Sequence, residues 1–380
     1  MTKLKGMSWD HPRGYNPMVA TAKMFNKQNS EIEIIWDKRP LQAFADRPIE
    51  NMAYEYDLMV IDHPHVGEAS RKKLLIELDT FEEYKKYLAE LSRHSVGKSH
   101  DSYKFNNHQY ALAIDAAAPV AAYNNKIAIL PKTFAEVIKL AEKSLVLWPI
   151  KPIDAISSFN SIAANIGHPI YKNQDTLIDK KIGIAILEMM KKLSNLVPQN
   201  CLQMNPINVL DYMSNNDDNI YCPLLYGYSN YSRKDHKNNL IKFSNIPSFD
   251  ENINNCKGAQ LGGTGLAISK KTKNIETALE YTFWVASEEC QKNLYYYSGG
   301  QPGHMKAWQD IDINNDSNDF FKDTLDTLKK SWLRPRFDGY MYFQDIAGTI
   351  INEYLKSDKQ ADIIIDQLIK EFEKSLYVNK

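Results

Sequence analysis

The sequence predicts an α/β protein, and three observations carry that expectation. At 380 residues the chain is long enough for two domains, each with its own core. Its first third alternates short apolar runs with helical patterns, the order of parallel strands joined by right-handed crossovers. Within it, "YDLMVIDHPHVG" (56–67) sets four apolar residues, Leu58 to Ile61, directly before an acid, two histidines and a proline. A run that short, bounded by turn residues, is a strand covered on both faces. Polar groups just past its carboxyl end lie where open α/β sheets hold ligands.

The elements follow in order. "LKGMSW" makes a strand, and Asn16-Pro17 reads as an N-cap with a first-turn proline, followed by Met18, Ala22 and Phe25 on one helical face. "EIEIIW" (31–36) is a second strand. The segment 41–54 reads as a helix broken near Pro48, leading to the strand at 58–61. Parallel strands in this order bring Trp9-Asp10-His11, Asp37-Lys38-Arg39 and Asp62-His63 to one rim. "TFEEYKKYLAELS" (80–92) is helical, and Asn106-Asn107 suits a tight turn between extended runs. Thr133 and Glu136 form a capping box. "LVLWPI" reads as a short buried strand, with helices at 154–166 and 179–195. "NIYCPLLYGYSNY" (219–231) is a strand entering an aromatic loop, "AQLGGTGLAIS" (259–269) an extended segment, and 275–287 an amphipathic helix. Residues 317–330 and 341–378 are mostly helical.

Composition excludes several functions. With 46 basic residues against 47 acidic, and the basic ones scattered, the chain lacks the clustered positive charge of a nucleic-acid or anionic-membrane surface. Four cysteines, at 201, 222, 256 and 290, show no CxxC and no metal-ligand spacing. No segment approaches the roughly 18 consecutive apolar residues of a membrane span. HExxH, GxSxG, GxGxxG and Walker patterns are all absent.

Two long stretches carry a family resemblance. "HQYALAIDAAAPVAAYNNKIAILPKTFAEVIKLAEK" (108–143) resembles the segment by which ABC-importer solute-binding proteins pass from first domain to second. It has a strand, a small-residue crossover, a Tyr-Asn-Lys pattern carrying an extra Asn125, and then Pro-x-Thr-aromatic-x-Glu opening a helix. "GGTGLAISKKTKNIETALEYTFWVASEECQKNLYYYSGGQPGH" (262–304) is similar to the family's return crossover, its helix and its Gly-rich turn. The match runs in order along nearly the whole chain and points to the carbohydrate-type branch. It implies a two-lobed class II periplasmic-binding-protein fold with several hinge crossovers and a helical C-terminus. The N-terminal lobe would be 1–116 with 266–305, and the C-terminal lobe 117–265 with 306–380.

The resemblance also implies a function: non-catalytic binding of a sugar, sugar acid or related polyhydroxylated compound in an interlobe cleft that closes by hinge motion. The protein would be a monomer serving an ABC permease, with no cofactor, no metal, no nucleic acid and no membrane insertion. The candidate ligand contacts are Trp9, His11, Arg13, Asp62, His63, His65 and Asp115, then Asn160, Tyr226, Tyr228, Gly262, Gly263, Gln301, Arg334 and Arg336. Aromatic faces suit sugar CH surfaces, carboxylates and amides suit hydroxyls, and an arginine fork suits a carboxylate. Each residue also has a plainer role. Asp62 can cap the next helix or pair with His63, Trp9 can pack in a core, and Arg13 can neutralise Asp10 or Asp37. Gly262-Gly263 can be a hinge, and "RPR" a salt-bridge element.

Rival readings stay open at this level. A metal-dependent enzyme would use His11, His63 and His65, although His63-x-His65 on extended chain points its rings to opposite faces. A cytoplasmic sensor or carrier would share the fold. The first residues, "MTKLKGMSWDHPRG", form no signal peptide, so a native Met1 implies the cytoplasm and a removed leader the periplasm.

Overall fold

The computed structural model describes residues 1–40, 49–173, 175–236, 238–250 and 252–377. Along the chain run β1 (Thr2–Trp9), α1 (Pro12–Gln28), β2 (Ile32–Arg39), α2 (Ile49–Glu55), β3 (Leu58–Ile61), α3 (Val66–Arg71) and α4 (Lys85–Arg93). The hairpin β4 (Lys104–Phe105) and β5 (His108–Gln109) leads into β6 (Ala111–Ala117) and β7 (Pro119–Tyr123). Next come α5 (Phe134–Ala141), α6 (Pro152–Asn165), α7 (Lys180–Ser194), α8 (Pro206–Asn215), β8 (Tyr221–Tyr226) and β9 (Lys242–Ser244). The chain ends with β10 (Gly262–Ile268), α9 (Ile275–Ala286), α10 (Phe320–Lys329), α11 (Tyr340–Lys356) and α12 (Ala361–Ser375).

Most elements fall where the sequence places them, with two corrections. Helix α1 begins at Pro12, not at Pro17: His11 caps it, Pro12 fills the first turn, and Pro17 lies inside the helix. The helix tolerates Pro17 because the missing N–H deprives only the Arg13 carbonyl of a helical partner. The expected strand "LVLWPI" is not one; it is buried chain joined to β8 by a single bridge, Val146 to Tyr221. Pro149 has no N–H with which to carry the ladder further. Of the helix expected over 41–54, residues 41–48 lie outside the described residues, and the described part is α2. Asn106 and Asn107 take positive φ (48° and 68°), as the tight hairpin turn requires.

The chain divides into two compact units. Unit 1 comprises Met1–Ala117, Gly262–Asn315 and Arg336–Asp338; unit 2 comprises Ala118–Leu261, Asp316–Pro335 and Gly339–Lys380.

Unit 1 is built on a sheet of order β2-β1-β3-β10-β6. Strands β2, β1 and β3 are parallel, while β10 runs antiparallel to β3 and β6. Alternation along β3 explains its unbroken apolar run. Leu58 and Val60 enter one core with Leu4, Trp36, Leu112, Ile114 and Leu266, whereas Met59 and Ile61 enter a second with Met7, Met52 and Ala267.

Unit 2 holds a smaller antiparallel sheet of order β8-β7-β9, together with helices that pack α6 against α7 and α11. Residues 154–165 of α6 are all buried, polar ones included. Asn352 of α11 donates to the carbonyls of Ile150 (2.6 Å) and Leu202 (3.0 Å), fixing the chain that leads into α6.

Candidate functional site

In unit 1 the parallel register lines up the strand ends. Ser8 pairs with Lys38 and Trp9 with Arg39, so Asp10 and Lys38 meet in a 2.8 Å ion pair beside the start of α1. Here His11 has extended backbone, and its Nδ1 accepts from the Arg13 N–H at 3.1 Å. Burial, assisted by the Arg13 charge, lowers the His11 pKa to about 4, so the imidazole is neutral at physiological pH. Trp9 is buried in the first core.

Arg13 and Asp115, two separately chosen ligand contacts, are partners of each other. The guanidinium grips the carboxylate with both arms, Nε to Oδ2 at 2.8 Å and Nη2 to Oδ1 at 2.5 Å. Their side chains are 5% and 1% exposed. Asp10 and Asp37, the other acids considered for Arg13, pair instead with Lys38 and Lys5.

Past β3, Asp62 accepts from the His63 N–H at 2.8 Å and caps the short turn of His63–His65. The plainer alternative weighed for this pair is therefore present. The His63 ring is fully buried, with Nδ1 3.2 Å from Asp62 and its edge toward Tyr103. His65 is buried too. On the far side of the sheet, Gly263 has φ +92°, and a Cβ there would stand 2.3 Å from the Asp115 carbonyl. Glycine at this position lets β10 close on β6, while Gly262 pairs with Ala117 beside it. Gln301 is buried and donates to the Ala116 carbonyl at 2.9 Å, extending the edge of β6.

The two arginines of "RPR" part company. Arg336, in unit 1, donates to the carbonyls of Asp101 (3.0 Å), Ser102 (3.1 Å) and Lys104. Arg334, in unit 2, is buried and donates to Gln344 at 3.1 Å.

Unit 2 supplies the aromatic part. Strand β8 ends at Tyr226, which is partly exposed, and Tyr228 just beyond it is buried. Asn160 is fully buried on α6 and donates to Gln260 (2.7 Å) and to the Tyr340 hydroxyl (3.4 Å). Gln260 in turn donates to the Tyr226 hydroxyl at 2.9 Å. Sequence reading missed Gln260 and Tyr340, and also Asp154, whose carboxyl is buried on α6 and pushed well above the usual carboxylate range by that burial. One signal was available: α6 reads "PIDAISSFNSIAAN", with polar residues on every face of a helix flanked by apolar chain.

The arrangement offers aromatic surface, hydroxyls and amides suited to holding a polar molecule. Among the described residues, no group of three or more His, Cys, Asp or Glu is placed to hold a metal ion. Ser214 lies 2.8 Å from a His236 ring nitrogen, but its hydroxyl donates to the Asn239 carbonyl and is not primed as a nucleophile. All four cysteines are buried free thiols. Among the described residues no helix is long and apolar enough to cross a membrane.

No family model matches the chain, and no curated protein matches it by sequence. Solved structures match it in fold. The maltose-bound MalE3 of T. maritima superposes with a TM-score of 0.85 at 16% identity, covering 98% of this chain and 100% of its own. An ABC-transporter solute-binding protein from Agrobacterium radiobacter K84, in complex with ribitol, gives 0.80 at 17% identity and covers 98% of both chains. One from Thermotoga lettingae TMO, bound to α-D-tagatose, gives 0.82 at 14% identity over 99% of this chain and 100% of its own. The chain has the class II periplasmic-binding-protein fold, the one adopted by the sugar-binding proteins of ABC transporters.

Proposed function

We propose that the protein binds a small polyhydroxylated solute, a sugar or related compound, without catalysis, and delivers it to an ABC permease. The observation that carries this reading is the whole-chain likeness to proteins holding maltose, ribitol and tagatose, which leaves almost no part of the chain over for another task. In this reading the bound solute favours one conformational state of the protein by binding it more tightly than another. Contacts would come from the partly exposed Asp62 and Tyr226, with Trp9, His11, His65 and Tyr228 as surrounding wall. Arg13, the fork a carboxylate would seek, is spent on Asp115, and His11 is neutral; both favour uncharged members of the class over sugar acids. We further take the protein to be a monomer working outside the cytoplasmic membrane.

A thermal-shift screen over maltose, ribitol, tagatose, simple carboxylates and amino acids tests the reading. A bound solute at 100 times its Kd stabilises by about 2.7 kcal/mol, a rise of several degrees in Tm. Tyr226→Ala or Asp62→Ala should shrink the rise without lowering the Tm of the unliganded protein by much. A rise with amino acids alone, or with none of these compounds, would overturn it. Light scattering with and without maltose checks the monomer.

A further inference from the structure

We propose that a cavity inside unit 1, lined by His94, Ser95, His100 and His304, binds one water that accepts from His304 and joins two stretches of chain. The site lies outside the candidate solute contacts and owes nothing to the solute-binding reading.

The cavity measures about 10 Å³, and Ala113 of β6 and Ala286 of α9 also line it. That is room for a single water and for no larger molecule. Two stretches of chain meet there. One is the turn 94–100 that follows α4, in which the His100 N–H donates to Ser95 Oγ at 2.9 Å. The other is the chain at Gly303 and His304. The Gly303 N–H lays it along β6 by donating to the Ile114 carbonyl at 3.1 Å, and the Met305 N–H ties it to the turn by donating to the His94 carbonyl at 2.7 Å. The His94 and His304 rings stack with centroids 5.3 Å apart.

The occupant follows from counting hydrogens. Burial, assisted by the neighbouring His94, lowers the His304 pKa to about 4, and burial lowers that of His100 to about 4. Both rings are therefore neutral at physiological pH, each with one N–H and one acceptor nitrogen. Nδ1 of His304 accepts from the Lys306 N–H at 3.3 Å, which puts the ring hydrogen on Nε2. Among the described residues nothing accepts from that N–H, and neither ring nitrogen of His100 meets a partner, although the two residues are only 4% and 6% exposed. Buried polar groups in this condition are rare, and ordered water is their usual partner. An oxygen in the cavity takes the His304 hydrogen and meets the His100 ring as donor or acceptor, whichever its tautomer requires. A hydrogen on Nε2 also repels a cation, in keeping with the lack, among the described residues, of any metal-holding group of three or more.

His304→Asn is the central variant, because its side-chain oxygen can still cap the Lys306 N–H while the Nε2 arm is gone. In the wild type at pH 7, nitrogen–proton correlation spectra of the imidazoles, with His304 identified by its loss in that variant, should place the proton on Nε2. A proton on Nδ1 overturns the inference. A high-resolution crystal structure should show one density peak about 2.7–3.2 Å from His304 Nε2. The cavity-filling variant Ala286→Val should lack that peak. If valine prevents folding, Ala113→Ser should lack it instead, its hydroxyl standing in the water's place. No peak in the wild type, or one that survives filling, overturns the site. With the donor removed in His304→Asn, amide exchange at Gly303 and Met305 should quicken about tenfold while that of Leu4 in β1 stays unchanged. Unchanged exchange at both, or equal acceleration at Leu4, means that the water joins nothing and overturns the proposal. Excess zinc(II) should leave the His304 resonances in place; a zinc-dependent shift would make the pocket a metal site and not a water site.

Discussion

Arg13 and Asp115 show what a single residue can and cannot reveal. Each type and position was legible as a candidate polar contact. Their pairing across 102 positions was not, because it depends on the end of β6 lying beside the start of α1. A bidentate pair this buried contributes little net stability compared with apolar replacements, but breaking one half leaves a charge stranded. Asp115→Ala alone should therefore cost about 3–5 kcal/mol in urea unfolding at neutral pH. The joint replacement Arg13→Met with Asp115→Leu should recover most of that loss. If the double variant is as unstable as the single, Arg13 is not the partner that holds Asp115. The same limit hid Gln260: its link to Asn160 spans 100 positions, and nothing in "GAQLGG" signals it.

At the scale of elements, legibility tracks how local the cause is. The β3 run, the Thr133–Glu136 capping box and the Asn106-Asn107 turn each owe their form to adjacent residues, and all three are present. Helix α1 was misplaced because two prolines competed for its first turn, and the histidine cap that decided between them is an uncommon one. Gly67 has a cause beyond the reach of local pattern. It was visible as the residue closing the polar stretch after β3. Yet a Cβ there would stand 1.8 Å from the carbonyl oxygen of Arg336, a residue remote in sequence. Helix α3 accepts the tripeptide Arg336–Asp338 against its bare backbone, and Arg71 of the same helix ion-pairs with Asp338. Gly67→Ala must push the tripeptide away, loosening both the Asp338 pair and the Arg336 contacts to carbonyls. The expected loss is about 1–3 kcal/mol, the usual scale of overpacking, although alanine favours a helix. A Gly67→Ala variant as stable as wild type, with unchanged amide-exchange protection over 101–104, would show that the tripeptide does not dock this closely.

For the whole molecule, the buried ionisable groups give the two units opposite responses to acid. In unit 1, burial lowers the pKa values of His11, His100 and His304 to about 4; His94, stacked on His304 at 5.3 Å, adds to the effect there. Between pH 6.5 and about 4 the unfolded chain takes up protons at these histidines that the folded unit refuses, so stability falls as pH falls. Each fully neutral histidine adds about 1.4 kcal/mol per pH unit to that slope. In unit 2 burial raises Asp154 well above 3.8, so the folded form holds a proton that the unfolded form has released. Its contribution is largest in acid and declines as pH rises through the folded value. His236, lowered by burial, opposes this in part, just as Asp115, raised by its burial, opposes the histidines in unit 1. Calorimetric unfolding at pH 7.5 and at pH 5 should thus show transitions drawing apart, with unit 1 moving down. His100→Asn should flatten the unit 1 response, and Asp154→Asn should remove the acid benefit from unit 2 while raising its stability at neutral pH. A single transition with the same midpoint at both pH values, unmoved by either substitution, would mean that these side chains are solvated well enough to titrate as they do in the unfolded chain.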